Sequence, residues 1–320
     1  MATLDNPYYA YRRAGSGDSD WTLTEVTDGS FPESFTGSPE TDYEVKTKVW
    51  SPSAFISTPA QPTNPFITQG LTYLTNNAKA AWDFTGITGN PYDNAPASLP
   101  DFTGNGFGLN NNAGALTPKL GVAVEGAITH SFISIYTPSG INNGYFSDLP
   151  ATNLYNSDFE IHTLFKVGDG NPAADYSIWG LNDGAAKRFL VFITATGTIK
   201  IQINLNGAVQ SFIETDNPVF SNNSSNLTYL RLVCDFTNDV VKIIVNGEDL
   251  AVTVTGSAIS NINPANFNSG LTGSAIGTSM RSATAFSFNQ NSYCGVFKAA
   301  VTPILSNENN LKVGAWMSAL

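Results

Sequence analysis

Charge is what this sequence has least of. Of its 320 residues, 13% are Asp, Glu, Lys or Arg, against roughly 25% in a typical soluble protein. The surface must therefore be covered by Asn, Thr, Ser and Gly, a composition that fits secreted or virion β-proteins better than cytoplasmic enzymes. Basic residues are scarcer still: 15 Lys and Arg face 26 Asp and Glu, for a formal charge of −11. Phosphate backbones and anionic membrane surfaces are bound by clustered cations. The adjacent basic pairs here are Arg12-Arg13 and Lys187-Arg188, so neither nucleic acid nor membrane is expected as a partner. Runs approaching the roughly 18 apolar residues of a membrane span are missing, and the first residues, MATLDNPYYAYRRAGSG, lack the apolar stretch of a signal peptide. Cysteine is nearly absent. Cys234 and Cys294 have no C-x-x-C spacing, which argues against zinc; buried free thiols are expected, with a disulfide as the alternative.

Apolar residues are plentiful, at 42% with 12% aromatic, enough for a large core. They alternate with polar ones in β-branched segments: YEVKTKVW (43–50), DFEIHTLFKV (158–167), RFLVFITAT (188–196), TIKIQINL (198–205), LTYLRLVCDF (227–236) and VVKIIVNG (240–247). Turn residues separate them at Thr196-Gly197, Asn206-Gly207, Thr237-Asn238-Asp239 and Asn246-Gly247. The C-terminus reads as the one helix, with Ser306 as its cap and Leu311, Trp316 and Met317 on one side. Prolines 59, 62 and 65 mark a semi-rigid spacer. The expected organisation is a small β-rich N-terminal arm and linker over 1–70, then one all-β domain over 71–320.

Residues 40–44, ETDYE, pose a chemical question. Glu40, Asp42 and Glu44 would share one face of a strand. Jelly-roll laminarinases and lichenases carry such an E-x-D-x-E motif on a central strand lining a sugar cleft, where paired carboxylates hydrolyse glycosidic bonds. Here the motif lies about 40 residues before the sandwich begins. Tyr43, Val45 and Val49 alternate with it, as on a strand buried on one side, which puts the carboxylates in water. A second pair, Glu214 and Asp216, reads as a solvated strand end. His162 reads as a packed or cross-strand residue, and no nucleophile elbow or phosphate loop is present. The chain is expected not to be an enzyme.

From about residue 78 the order of motifs resembles the laminin-G-like, or concanavalin A-like, jelly roll. Trp82-Asp83-Phe84 matches its opening W-x-F, DFTGNG (101–106) its D-x-S-G-N-G turn, GVAVEGA (121–127) a glycine-started strand, and DFEIHTLFKV its F-T-I-S-A-W-V-K strand. TYLRLVCDFTNDVVKIIVNG resembles W-H-H-V-A-V-T-F-D followed by V-K-L-Y-V-N-G; Ile276-Gly277 and ILSNENNLKVGAW match the late strand and closing helix. Two departures stand out: SYCGVFKAAV lacks the acidic residue of the penultimate strand, and Thr228 or Tyr229 stands for the tryptophan of W-H-H. The resemblance implies an antiparallel sandwich with a short C-terminal helix, binding glycans or proteins at rim loops, in some relatives through calcium. Fold alone does not assign such a function.

Sugars present C–H patches beside hydroxyls, so exposed aromatics flanked by amides are the candidates: Trp179 with Asn182 and Asp183; Asn142, Asn143 and Tyr145; and Asn289, Gln290, Asn291 and Tyr293. Calcium needs converging oxygens, for which Asp169, Asn182-Asp183, Asp235 and Asn238-Asp239 qualify; no other cofactor is expected. The expectation is a non-catalytic virion protein of a bacteriophage, in the tail or on the capsid surface. Its arm would bind other virion proteins, in several copies, and its jelly roll would contact host-surface glycans. The alternatives are a jelly-roll glycoside hydrolase or lyase, and a secreted bacterial adhesin.

Overall fold

The computed structural model describes residues 8–13, 22–25, 43–48, 65–85, 87, 96–111, 119–125, 128–134, 145–147, 155, 157–167, 175–182, 188–205, 209–221, 227–265, 274–276, 279–282, 285–287 and 294–319. In chain order the elements are β1 (Tyr8–Arg13), β2 (Thr22–Glu25), β3 (Tyr43–Lys48), α1 (Pro65–Asn77), β4 (Ala80–Asp83), β5 (Ser98–Leu99), β6 (Leu109–Asn111), β7 (Lys119–Glu125) and β8 (Ile128–Ser134). There follow β9 (Tyr145–Ser147), β10 (Phe159–Val167), β11 (Tyr176–Asn182), β12 (Arg188–Ile193), β13 (Ile199–Leu205), β14 (Val209–Thr215), β15 (Leu227–Asp235), β16 (Val240–Val245) and β17 (Glu248–Leu250). The chain ends with β18 (Val252–Gly256), β19 (Ser274–Ile276), β20 (Ser279–Ser282), β21 (Ala285–Ser287), β22 (Cys294–Thr302) and α2 (Asn307–Ser318).

Two antiparallel sheets make an all-β sandwich of the jelly-roll type. One runs β17-β16-β15-β10-β22-β8-β7, with β4 also on β22; the other runs β18-β14-β13-β12-β11-β19-β9-β6-β5. Alternation builds the core between them. In β13, Ile199, Ile201 and Ile203 are fully buried while Lys200, Gln202 and Asn204 are half-buried on the opposite face. Phe189, Val191 and Ile193 of β12 join them, facing Phe159, Ile161 and Phe165 of β10. Aromatic rings cross the interior: Phe159 meets Phe189 at 5.6 Å and Trp82 meets Trp179 at 6.0 Å.

The turn motif at 101–106 has a structural task. Asp101 Oδ1 accepts from the Ala81 amide at 3.0 Å and Oδ2 from the Phe107 amide at 3.3 Å. Asn105 donates to the carbonyls of Ala78 and Lys79, and Gly104 and Gly106 take φ of 78° and 85°, which glycine adopts without steric cost. The turn thereby holds β4 in place. At the other sheet's hairpin, Asn246 and Gly247 have φ of 51° and 91°, the left-handed pair that a two-residue antiparallel turn demands.

A second helix stands where the prolines suggested a spacer. Pro65 occupies the first position of α1, where its missing N–H costs nothing and its fixed φ suits a helix. Helix α1 lies against α2 so closely that a Cβ on Gly70 would meet the Lys312 carbonyl oxygen at 2.1 Å. Both helices cover the outer face of the first sheet: Leu74, Val313, Trp316 and Met317 pack on Ala81, Ala300 and Tyr229. Ser306 caps α2 as expected, accepting from the Asn309 amide. Lys298 of β22 reaches the helix's other end and donates to the carbonyls of Trp316, at 2.7 Å, and Ala319.

Strands β2-β1-β3 form a separate three-stranded sheet, with Glu44 of β3 in register with Arg12. The strand of the E-x-D-x-E motif thus pairs with neither sandwich sheet; Glu40 and Asp42 lie outside the described residues. Cys234 is a buried free thiol. Cys234 is opposite Phe159, and Cys294 is opposite Val167. Those positions are eight residues apart on β10, about 27 Å at ~3.4 Å per residue, and disulfides require Cα atoms within about 7 Å. No bridge joins the two.

Candidate functional site

The outer face of the second sheet holds a different set of residues. Across β11–β14 and β18, registers align three rows on it. One row is Asn182, Arg188, Asn204 and Gln210; the next is Gly180, Leu190, Gln202, Phe212 and Thr255; the third is Ser177, Phe192, Lys200, Glu214 and Thr253. Four strand spacings and two intervals of two residues give a surface of about 19 by 14 Å. Near its middle is a small cavity of about 100 Å³, lined by Asp175, Ser177, Leu190, Phe192 and Gln202.

Each charged group on this face has a distinct state. Lys200 Nζ is 3.1 Å from Glu214 Oε2 and 5.0 Å from the centre of the Phe212 ring. Glu214 also accepts from the Thr198 hydroxyl at 2.6 Å. Asp175 Oδ1 accepts from the Ala195 amide at 3.0 Å. Arg188 is otherwise: its Nε is buried and has no hydrogen-bond partner. Its cross-strand neighbour Asn204 has a buried, unpartnered Oδ1. An unmade hydrogen bond of a buried polar atom costs about 1–3 kcal/mol, and among the described residues nothing partners these two atoms.

The densest ionisable cluster lies elsewhere, beneath the helices. Glu160 accepts from Arg231 at 2.7 and 2.9 Å and from the Leu305 amide at 2.9 Å. His162 sits 3.3 Å from Glu160 and within hydrogen-bond reach of the Tyr229 and Thr302 hydroxyls, at 2.7 and 3.1 Å. Burial alone would raise the Glu160 pKa, but hydrogen bonds and charge from His162 and Arg231 outweigh it and bring it down to about 2. Burial pushes the His162 imidazole below its ordinary value, against the pull of Glu160. Both side chains have no exposed surface. The cluster is a satisfied polar layer that ties β10, β15 and β22 to the segment leading into α2, and His162 is the packed cross-strand residue expected.

Several expected site residues find other roles. Trp179 is fully buried, touching Trp82 and donating to the Tyr155 hydroxyl at 2.9 Å; it offers no ring face to a sugar. Asp235 spends its carboxylate on the amide and side chain of Asn238, and Asp239 takes φ of 58° in the following turn, so this trio serves the turn rather than calcium. Asn182 does end β11 beside Arg188, and Tyr145 begins β9, opposite Ile276. Asp183, Asn142, Asn143, Asn289, Gln290, Asn291, Tyr293 and Asp169 lie outside the described residues. Among the described residues no three His, Cys, Asp or Glu side chains converge as a metal site, and no helix is long and apolar enough to cross a membrane. Arg188, Gln202, Asn204 and Phe212 were overlooked in the sequence. The alternation of TIKIQINL, with turns fixing its neighbours, carried their signal.

No family model matches the sequence, and neither does any curated protein. Solved structures do match. The binding domain of Paraclostridial Mosquitocidal Protein 1 gives a TM-score of 0.50 at 12% identity, over 75% of this chain and 52% of that one. The botulinum neurotoxin serotype D binding domain gives 0.49 at 13% identity, over 76% and 52%. A Ruminococcus gnavus IT-sialidase CBM40, bound to alpha2,6 sialyllactose, gives 0.43 at 18% identity, over 56% and 95%. The chain spans about half the length of these first two binding domains. At these identities the likeness is one of fold.

Proposed function

We propose that the sandwich is a non-catalytic glycan-binding module whose binding face is the outer surface of the β11–β14 sheet. The observation that carries this is the pairing, on one face, of half-exposed Phe192 and Phe212 with Gln202, Asn204 and a small cavity. Aromatic carbon takes the C–H side of a sugar ring while amides fix its hydroxyls. A non-catalytic role is supported by what the carboxylates do. Glu214 is paired with Lys200, and Glu160 is ionised under the helices, the opposite of the raised pKa a general acid needs. The setting we infer is a bacteriophage particle, with the β1–β3 region joining the module to other virion proteins; the weakly charged, acidic composition supports that setting.

A printed array of bacterial-surface and host-surface oligosaccharides tests the reading. The wild-type chain should bind a subset, and Gln202→Ala with Phe212→Ser should lower that binding tenfold or more without lowering the melting temperature appreciably. Binding that the double variant retains would move the site off this face. Cleavage of β-glucan or alginate that disappears in Glu214→Gln would replace the reading with the hydrolase or lyase alternative.

A further inference from the structure

We propose that Arg188 binds a carboxylate of the ligand, so that the face selects acidic glycans over neutral ones; this rests on the glycan-binding reading of the same face. In an acidic chain the described cations are largely committed. Lys200 holds Glu214, Arg231 holds Glu160, Lys242 holds Asp249, Lys312 holds Glu308, and Lys298 holds carbonyls of α2. Arg188 stands on the candidate face with a buried Nε that has no hydrogen-bond partner, and no described carboxylate forms an ion pair with it. A guanidinium presents a rigid planar fork that matches both oxygens of a carboxylate. With Nε buried and the residue as a whole half-exposed, a carboxylate would meet the terminal guanidinium nitrogens.

Asn204 completes the chemistry. It faces Arg188 across the β12–β13 ladder, and its unpartnered Oδ1 is an acceptor seeking a donor. A donor and an acceptor on adjacent strands, about 5 Å apart, suit a ligand with a carboxylate next to a hydroxyl or amide N–H. Sugar acids, both hexuronic and sialic, carry that combination. The next row on the face, Leu190 and Gln202, lines the cavity about 7 Å further along the strands. A ring anchored at Arg188 by its acid group would therefore lie over the cavity and reach Phe192 and Phe212. Lys200, already engaged by Glu214 and the Phe212 ring, is not needed for the contact.

The test uses matched probes: glucuronate-terminated and sialate-terminated oligosaccharides, each beside its carboxyl-reduced counterpart, titrated against the full-length chain by calorimetry. The wild type should prefer at least one acid over its reduced partner by about tenfold or more, the scale of a charge-assisted hydrogen bond, and the preference should shrink with added salt. Arg188→Gln should abolish the preference while keeping the melting temperature; Arg188→Lys should restore part of it; Lys242→Gln, on the other sheet, should leave it in place. Which arm responds identifies the sugar acid. Equal binding of acid and reduced forms by the wild type, or a preference that survives Arg188→Gln, overturns the carboxylate assignment and leaves glycan binding standing. Absence of binding to every glycan, neutral ones included, overturns both.

Discussion

At the scale of single residues, the buried polar atoms define what each side of the sandwich can do. Under the helices the ionisable groups are partnered, Glu160 by Arg231, His162 and the Leu305 amide, although Gln69 Nε2 of α1 is buried without a hydrogen-bond partner. Its pKa falls from 4.5 to about 2 on folding, so its contribution to stability is complete above pH 4.5 and is lost as the pH drops toward 2. That shift amounts to roughly 3 kcal/mol. Acid unfolding of the wild type should therefore steepen across this window. In Glu160→Gln the protein should be less stable at pH 7, because Arg231 keeps a buried charge without its partner, and its stability should depend less on pH between 5 and 2, as read by urea melts at each pH. Trp179 makes the complementary case. Trp179→Phe removes the donor to Tyr155 and should cost about 1–3 kcal/mol with no change in glycan binding. The tryptophan looked like a sugar platform because its neighbours are Gly180, Asn182 and Asp183; a bulge in its register with β12 accompanies its inward packing.

At the scale of elements, the strands were legible because burial on one face imposes a period of two, which β13, β14 and β16 obey; β10 keeps alternating residue types although both of its faces are buried. The turn at Asn246-Gly247 was legible for the same local reason, since few residues accept its backbone. Helix α1 was not. Its apolar residues Ile67, Tyr73 and Leu74 follow prolines 59, 62 and 65 and are interrupted by Gly70, and what stabilises it is a non-local surface, α2 and the sheet beneath. Gly70 records that dependence. In Gly70→Ala the new methyl would press on the Lys312 carbonyl, a backbone atom that cannot swing aside. We expect a loss of about 1–3 kcal/mol, together with a red shift of tryptophan emission as Trp316, now 3% exposed, gains water. An unchanged melting temperature would mean that the helix pair does not pack this tightly.

At the scale of the whole molecule, the two faces of the sandwich are unequal. One carries helices α1 and α2 over the Glu160–His162–Arg231 layer; the other presents half-exposed aromatics, amides and an arginine whose buried Nε has no hydrogen-bond partner. The sandwich itself could be read from the order of its motifs. The proposed binding face could not be found by looking for loops, because its residues are the outward half of ordinary strands and come together through register alone. The asymmetry predicts where a ligand goes. The most direct measurement is amide chemical-shift mapping of the isotope-labelled, full-length chain titrated with an oligosaccharide that binds it. Perturbations centred on Arg188, Phe192, Gln202, Asn204 and Phe212 are the predicted result; shifts confined to other surfaces, with these five residues unmoved, would contradict it.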